Sequence, residues 1–366
     1  MRIGLLITSI GNFGQKGFYN AQEIGLAKEL DKLVDELVIY KAVPKTTGEA
    51  VIDVDTCKRT TLKQIPVDAN GINGKWDCSV MDSTLDALVY FSDTQLAVPS
   101  VYKWCQNNHV RMYPYIGVVE SHSTSKIKKF LIDMLFQRNI AVYKNCRCFV
   151  KTPSVQKTLK DKGVMNTEVA PVGLDISLLH QEYEETRVDD LKRKYGYSVS
   201  EKVVLFIGRM TEEKQPLRMI EIFQEVYKRD SSYRLMMVGK GELLNAVKAK
   251  ASSLPVLFID QIPNKDIWEL YRISEAFVNL NQQEIFGMAI LEAMYYGCKV
   301  VAWKAPGPSF IIQDGVSGWL VESSEDAVVR IMDERNVSES SKAAIKKRFL
   351  WCNTAKLIND TVRNKM

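Results

Sequence analysis

The sequence predicts an α/β protein built as two doubly wound, Rossmann-like domains facing across a cleft. Three observations predict it. Short apolar runs alternate with longer amphipathic stretches along the whole chain, the pattern of parallel sheets crossed by helices. The alternation breaks once, around 174–189, where the acidic run 182–185 reads as solvated, and then restarts. A chain of 366 residues also exceeds one comfortable core.

The first element is a buried strand over 3–7, within Met1-Arg2-Ile3-Gly4-Leu5-Leu6-Ile7 and ended by the polar Thr8-Ser9. That run is too short for a signal segment or a membrane span, and no later stretch reaches the ~20 apolar residues a spanning helix needs. A helix over 20–33 follows, with Ala21, Ile24, Leu26, Ala27 and Leu30 on its apolar side. Strands are expected at 37–40, 87–91, 111–116 and 148–150, with a long helix over 125–141 and another opened by Pro153. The stretch 53–77 holds Gly71, Gly74 and scattered charges, and reads as irregular with short strands.

Beyond the seam, strands are expected at 203–207, 234–238, 256–259, 276–280 and 299–302. Helices are expected at 216–228, 243–251, 265–272, 288–296, 343–350 and 354–363. The domains so drawn are 1–180 and 181–349, with the helix near 350–366 able to pack back on the first. Ligands of such sheets sit outside the carboxyl ends of the strands.

Composition narrows the function classes. A net charge of +5 favours anionic ligands but falls short of a nucleic-acid signature. Seven cysteines lack metal-ligand spacing; Cys146 and Cys148 stand two apart, which suits neither a redox pair nor a zinc knuckle. Reduced thiols in a cytoplasmic protein are the expectation.

Two segments carry chemistry. In Glu284-Ile285-Phe286-Gly287-Met288-Ala289-Ile290-Leu291-Glu292-Ala293-Met294 a loop passes Glu284, and Gly287 opens a helix. The free amides of its first turn suit phosphate or sugar oxygens, and glycine admits close approach. In Phe206-Ile207-Gly208-Arg209-Met210-Thr211-Glu212-Glu213-Lys214-Gln215-Pro216 a strand ends at Gly208 and the next loop presents an arginine and a lysine. A planar fork and a compact charge together suit a diphosphate. Taken singly, each segment also reads as an ordinary solvated loop.

Together they resemble the nucleotide-binding domain of the family 4 glycosyltransferases of the GT-B fold. The Gly-Arg...Glu-Lys...Pro loop and the two glutamates eight positions apart stand in the family's order and spacing. Ser274-Glu275-Ala276-Phe277-Val278, Gly297-Cys298-Lys299-Val300-Val301-Ala302 and Asp314-Gly315-Val316-Ser317-Gly318-Trp319-Leu320-Val321 are similar to flanking family elements. The resemblance is dense over 203–321 and looser before it. It implies that Arg209 and Lys214 bind the donor diphosphate, Glu292 the ribose hydroxyls and Glu284 the transferred sugar, beside amides of Phe286, Gly287 and Met288. In the first domain it implies donor contacts from the loop Gly11-Asn12-Phe13-Gly14-Gln15-Lys16-Gly17, through Gly14 and Gly17, and from His122. Departures fall at Pro171-Val172-Gly173, where the family has Pro-Asn-Gly, and at Pro306-Gly307-Pro308-Ser309, which lacks the usual glutamate. The glycine loop also lacks the common Gly-Gly pair.

The resemblance implies a retaining, metal-independent hexosyl transfer, without a cofactor, from a UDP- or GDP-linked sugar to a glycan or lipid-linked sugar. The expected setting is cell-envelope, capsule or other polysaccharide synthesis. Competing readings are a nucleotide-sugar hydrolase or epimerase on the same scaffold, and a non-catalytic binding subunit. Lys126, Lys128 and Lys129 beside Phe130, Leu131, Ile132, Leu135 and Phe136 make a basic, apolar helix suited to an anionic membrane surface on the cytoplasmic face. A core-facing helix with a solvated basic flank accounts for them equally.

Overall fold

The computed structural model describes residues 1–10, 22–70, 73–119, 126–180 and 183–364. The chain folds as two units, Met1–Gly173 with Trp351–Met366, and Leu174–Leu350.

The first unit carries strands β1 (Arg2–Ile7), β2 (Glu36–Pro44), β3 (Ala50–Asp53), β4 (Thr60–Val67), the two-residue pair β5 (Ala69–Asn70) and β6 (Asn73–Gly74), then β7 (Ala87–Phe91), β8 (Arg111–Ile116), β9 (Cys148–Val150) and β10 (Thr167–Val169). Eight of them form one sheet in the order β10-β9-β8-β7-β1-β2-β4-β3. All neighbours in it run parallel except β3 against β4. The apolar runs read as buried strands are buried: Ile3, Leu5 and Leu6 of β1, and Leu88, Val89 and Tyr90 of β7, have no exposure.

The stretch read as irregular is different. β4 is a full eight-residue strand between β2 and β3. Most of its side chains are only half-buried, as befits a strand next to the sheet edge. The alternation by which strands are recognised is blurred there.

The final helix, Trp351–Arg363, belongs to the first unit and lies on the helix Gln22–Leu30. Gly25 makes the fit: a Cβ there would fall 2.3 Å from Trp351 Nε1. The helix is stitched further by Thr354 Oγ1 to Pro171 O (2.6 Å), and by Arg111 Nη1 to Val362 O (3.1 Å).

The second unit is a six-stranded, all-parallel sheet: β11 (Lys202–Ile207), β12 (Tyr233–Val238), β13 (Val256–Ile259), β14 (Ser274–Asn279), β15 (Lys299–Trp303) and β16 (Trp319–Val321). The order is β13-β12-β11-β14-β15-β16. The chain thus builds outward from β11 on one side, then returns to build outward from β14 on the other. The order reverses between β11 and β14, and the crevice at such a reversal is where open α/β sheets hold ligands. Met219, Ile220, Phe223 and Val226 of the helix Pro216–Arg229 bury their apolar face in this unit's core, with almost no exposure.

Candidate functional site

Both chemistry-bearing segments leave the two strands that flank the reversal. β11 ends at Ile207, and Gly208 and Arg209 follow; β14 ends at Asn279, and the loop to Glu284 follows. Lys214 Nζ donates to Glu284 Oε2 at 2.9 Å, with side chains 23% and 17% exposed. The same carboxylate oxygen accepts from Asn281 Nδ2 (3.2 Å) and, at longer range, from Asn279 Nδ2 (3.4 Å).

Asn281 also donates to Glu213 Oε1 at 3.3 Å, and its own backbone N–H is accepted by Asn279 Oδ1 at 3.0 Å. Arg209 stands at the rim, 3.4 Å from Glu213 Oε2 and largely in solvent. Two cations and two carboxylates therefore share one edge, and each cation reaches only one or two of the carboxylates. An arriving diphosphate can displace exposed Glu213 from Arg209, and Glu284 from Lys214 while Asn281 and Asn279 still donate to Glu284.

The loop after Glu284 is set by Gly287, whose φ of +100° lies in the left-handed region that favours glycine. It turns the chain into the helix Met288–Tyr295, whose first turn has no side-chain cap. Phe286 is buried, its ring 6.3 Å from that of Phe349. Gly307 N donates to Glu284 O at 2.8 Å, tying the stretch that departs from the family pattern to the glutamate's own backbone.

Glu292 is not part of the Lys214–Glu284 network. It lies inside the helix, buried, with its Oε2 accepting from Tyr271 OH at 3.1 Å. Burial pushes its carboxyl up to about 7, against a smaller opposing effect of the Tyr271 hydrogen bond. Tyr271 is held by its neighbours, edge-on to Phe277 and stacked on Tyr296.

Of the predicted residues, Arg209, Lys214 and Glu284 come together, Phe286, Gly287 and Met288 join them through the backbone, and Glu292 stands apart. Gly14, Gly17 and His122 lie outside the described residues, as do the side chains of Lys126, Lys128 and Lys129. Three contributors were not foreseen. Asn281 and Asn279 carry a visible signal, paired asparagines where a strand ends. Gly239 at the end of β12 is the third: with φ at +138°, its Cβ would fall 2.0 Å from Gly208 O. That close approach lets the β12 loop run against the one bearing Arg209.

Among the described residues no helix is long and apolar enough to cross a membrane.

Residues 188–348 match the family model described as glycosyl transferases group 1. Among curated proteins, the chain is 25% identical over 185 residues to the alpha-monoglucosyldiacylglycerol synthase of Streptococcus pneumoniae, covering 49% of this chain and 42% of that one. It is 27% identical over 180 residues to the N-acetyl-alpha-D-glucosaminyl L-malate synthase of Bacillus anthracis, covering 46% of each. The chain thus spans less than half the length of these two relatives. In fold it is similar to the crystal structure of Anabaena HepE in complex with UDP, with a TM-score of 0.74 at 15% identity over the whole of both chains.

Proposed function

We propose that this chain, whose residues 188–348 match the group 1 glycosyltransferase model and whose fold is similar to that of a GT-B glycosyltransferase, moves a sugar from a nucleotide-diphosphate sugar to a hydroxyl acceptor with retention of configuration. The observation that carries the reading is the Lys214–Glu284 pair, set at the strand reversal of the second unit beside the helix opened by Gly287. A lysine, a rim arginine and helix-terminal amides on one edge suit a leaving diphosphate. The solved relative's UDP makes a UDP-linked sugar the first donor to try, with GDP-linked sugars next.

In this mechanism Arg209 and Lys214 stabilise the charge that grows on the departing diphosphate. Glu284, released from Lys214 as that lysine turns to phosphate, accepts from hydroxyls of the transferred sugar. Glu292 accepts from the ribose hydroxyls. The acceptor hydroxyl attacks on the face the diphosphate leaves, and a phosphate oxygen takes its proton. The two cations supply the charge a divalent metal would otherwise supply, so activity is expected to persist under chelation.

The acceptor proposed is a glycan or lipid-linked sugar in envelope or capsule assembly, reached from the cytoplasm. A glycolipid product in one relative's name and seven free cysteines, which suit a reducing compartment, favour this setting.

The test is nucleotide release from UDP-glucose, UDP-N-acetylglucosamine and GDP-mannose, with and without an acceptor panel, before and after chelation. Release that rises with one acceptor supports the reading. Equal release without any acceptor means a hydrolase, and activity lost to chelator and restored by manganese overturns the metal-independent mechanism.

A further inference from the structure

The first unit has a strand reversal of its own, between β1 and β7, and its carboxyl edge leaves polar groups unmet. Asp93, two residues past β7, has a φ of +29°, a conformation that side-chain-bearing residues rarely adopt. Its Oδ1 accepts from the amides of Gly117 (2.6 Å) and Val118 (3.1 Å), just past β8. Lys151, directly after β9, lies flat across the same glycine: a Cβ on Gly117 would fall 2.5 Å from Lys151 Cδ. Its ammonium sits 5.3 Å from the ring centre of Tyr115 and 6.0 Å from that of Phe91.

A carboxylate and an ammonium thus converge on Gly117 without pairing, and among the described residues Lys151 has no carboxylate partner. Beneath them Tyr115 is fully buried, and among the described residues its hydroxyl has no hydrogen-bond partner. Asp93 is near enough for its charge to raise that phenol's proton affinity, the lesser cause after burial. Buried polar groups are nearly always satisfied, so an exception calls for a partner. Strained backbone gathers at functional sites. Other polar groups on this edge pair with each other: Thr8 with Tyr90 at 2.7 Å, and Tyr143 with Ser92 at 2.9 Å.

We propose that this edge binds an acceptor carrying an anionic group next to its hydroxyls, with Lys151 on the anion and Asp93 on a hydroxyl. The inference rests on the transferase reading above and names its acceptor class. The aromatic rings beneath Lys151 hold the ammonium without neutralising it, so it stays available to a phosphate or carboxylate. The free oxygen of Asp93 accepts from a hydroxyl while its partner oxygen stays fixed by two amides. A neutral sugar would leave the ammonium unmet and bind worse.

The full chain saturated with UDP is titrated calorimetrically with glucose 6-phosphate and with glucose, and by sedimentation with vesicles of phosphatidylcholine with or without phosphatidylglycerol. Expected is a preference of at least tenfold for one anionic probe over its neutral counterpart, and which probe it is separates a free sugar phosphate from a lipid headgroup. Lys151→Met removes the preference, Lys151→Arg keeps most of it, and Asp93→Asn weakens both sugars alike. UDP affinity stays unchanged in all three variants, and calorimetric melts that keep the first unit's wild-type transition show that they fold. No preference in the wild type, or one that survives Lys151→Met, overturns the inference. If UDP itself does not bind, the transferase reading fails instead.

Discussion

The two units share one plan and treat their carboxyl edges in opposite ways. Each sheet builds outward from its own first strand and then reverses, at β1 and β7 in one unit and at β11 and β14 in the other. In the second unit, the charged groups at the reversal have partners: Glu284 takes three donors, and Asn281 ties Glu213 to Glu284. In the first unit Asp93 and Lys151 converge without pairing to each other, over a phenol unmet among the described residues. Preorganised polar groups cost no rearrangement when charge appears, as a leaving diphosphate requires. An edge with unmet groups gains more from a ligand that brings the partners, and so discriminates among acceptors.

The largest effect that separates the units should come from the helix one of them borrows. Trp351 is 3% exposed and lies on Gly25 of the first unit. Trp351→Ala should destabilise that unit by ~3–5 kcal/mol, the usual cost of removing a buried aromatic. Calorimetry should show one transition shifted down and the other near its wild-type position, with UDP affinity kept below the shifted transition. A single transition that moves as a whole would mean that the units unfold as one.

Next in size is the second unit's cationic edge. Lys214→Ala should lower kcat by about 10²–10³, with a smaller change in donor KM, because charge on the diphosphate grows toward the transition state. Arg209→Ala should show the same pattern. At the rim, its pairing with Glu213 adds at most ~1 kcal/mol to stability, so the two measurements separate catalysis from folding. A rise in KM alone would mean that the pair holds only the ground state.

Much of this was legible in the sequence, for physical reasons. Fully buried strands such as β1 and β7 read as apolar runs, whereas half-buried β4 blurred into irregularity. Arg209, Lys214 and Glu284 were legible because each stands a short loop past the end of a strand. The pairing of Lys214 with Glu284 was not, since it depends on β14 lying beside β11, seventy residues away in sequence. Nor was the cluster at Asp93, Gly117 and Lys151, drawn from three separate strand ends. The resemblance makes Glu292 a ribose ligand, and its place in the family pattern says nothing of its burial. Its burial under Tyr271 comes from the packing of Ile267–Ile273, which the local sequence around Glu292 does not carry.

That burial yields the smallest and most specific prediction. In the folded, ligand-free protein burial raises the Glu292 carboxyl from 4.5 to about 7. Between those values the folded chain keeps a proton that the unfolded chain has lost. Its contribution to stability is therefore full below the lower value and is lost as pH rises toward the upper one, by at most ~1.4 kcal/mol per pH unit. Glu292→Gln should remove that slope from thermal melts between pH 5 and about 7. Ribose hydroxyls donate to the ionised form, so UDP should bind the wild type more tightly as pH rises through the same window. Glu292→Gln should weaken UDP by ~1–3 kcal/mol near pH 8 and flatten its pH dependence. Calorimetric titration at pH 6, 7 and 8 measures both, and a wild-type affinity that falls with pH would put the proton on some other group.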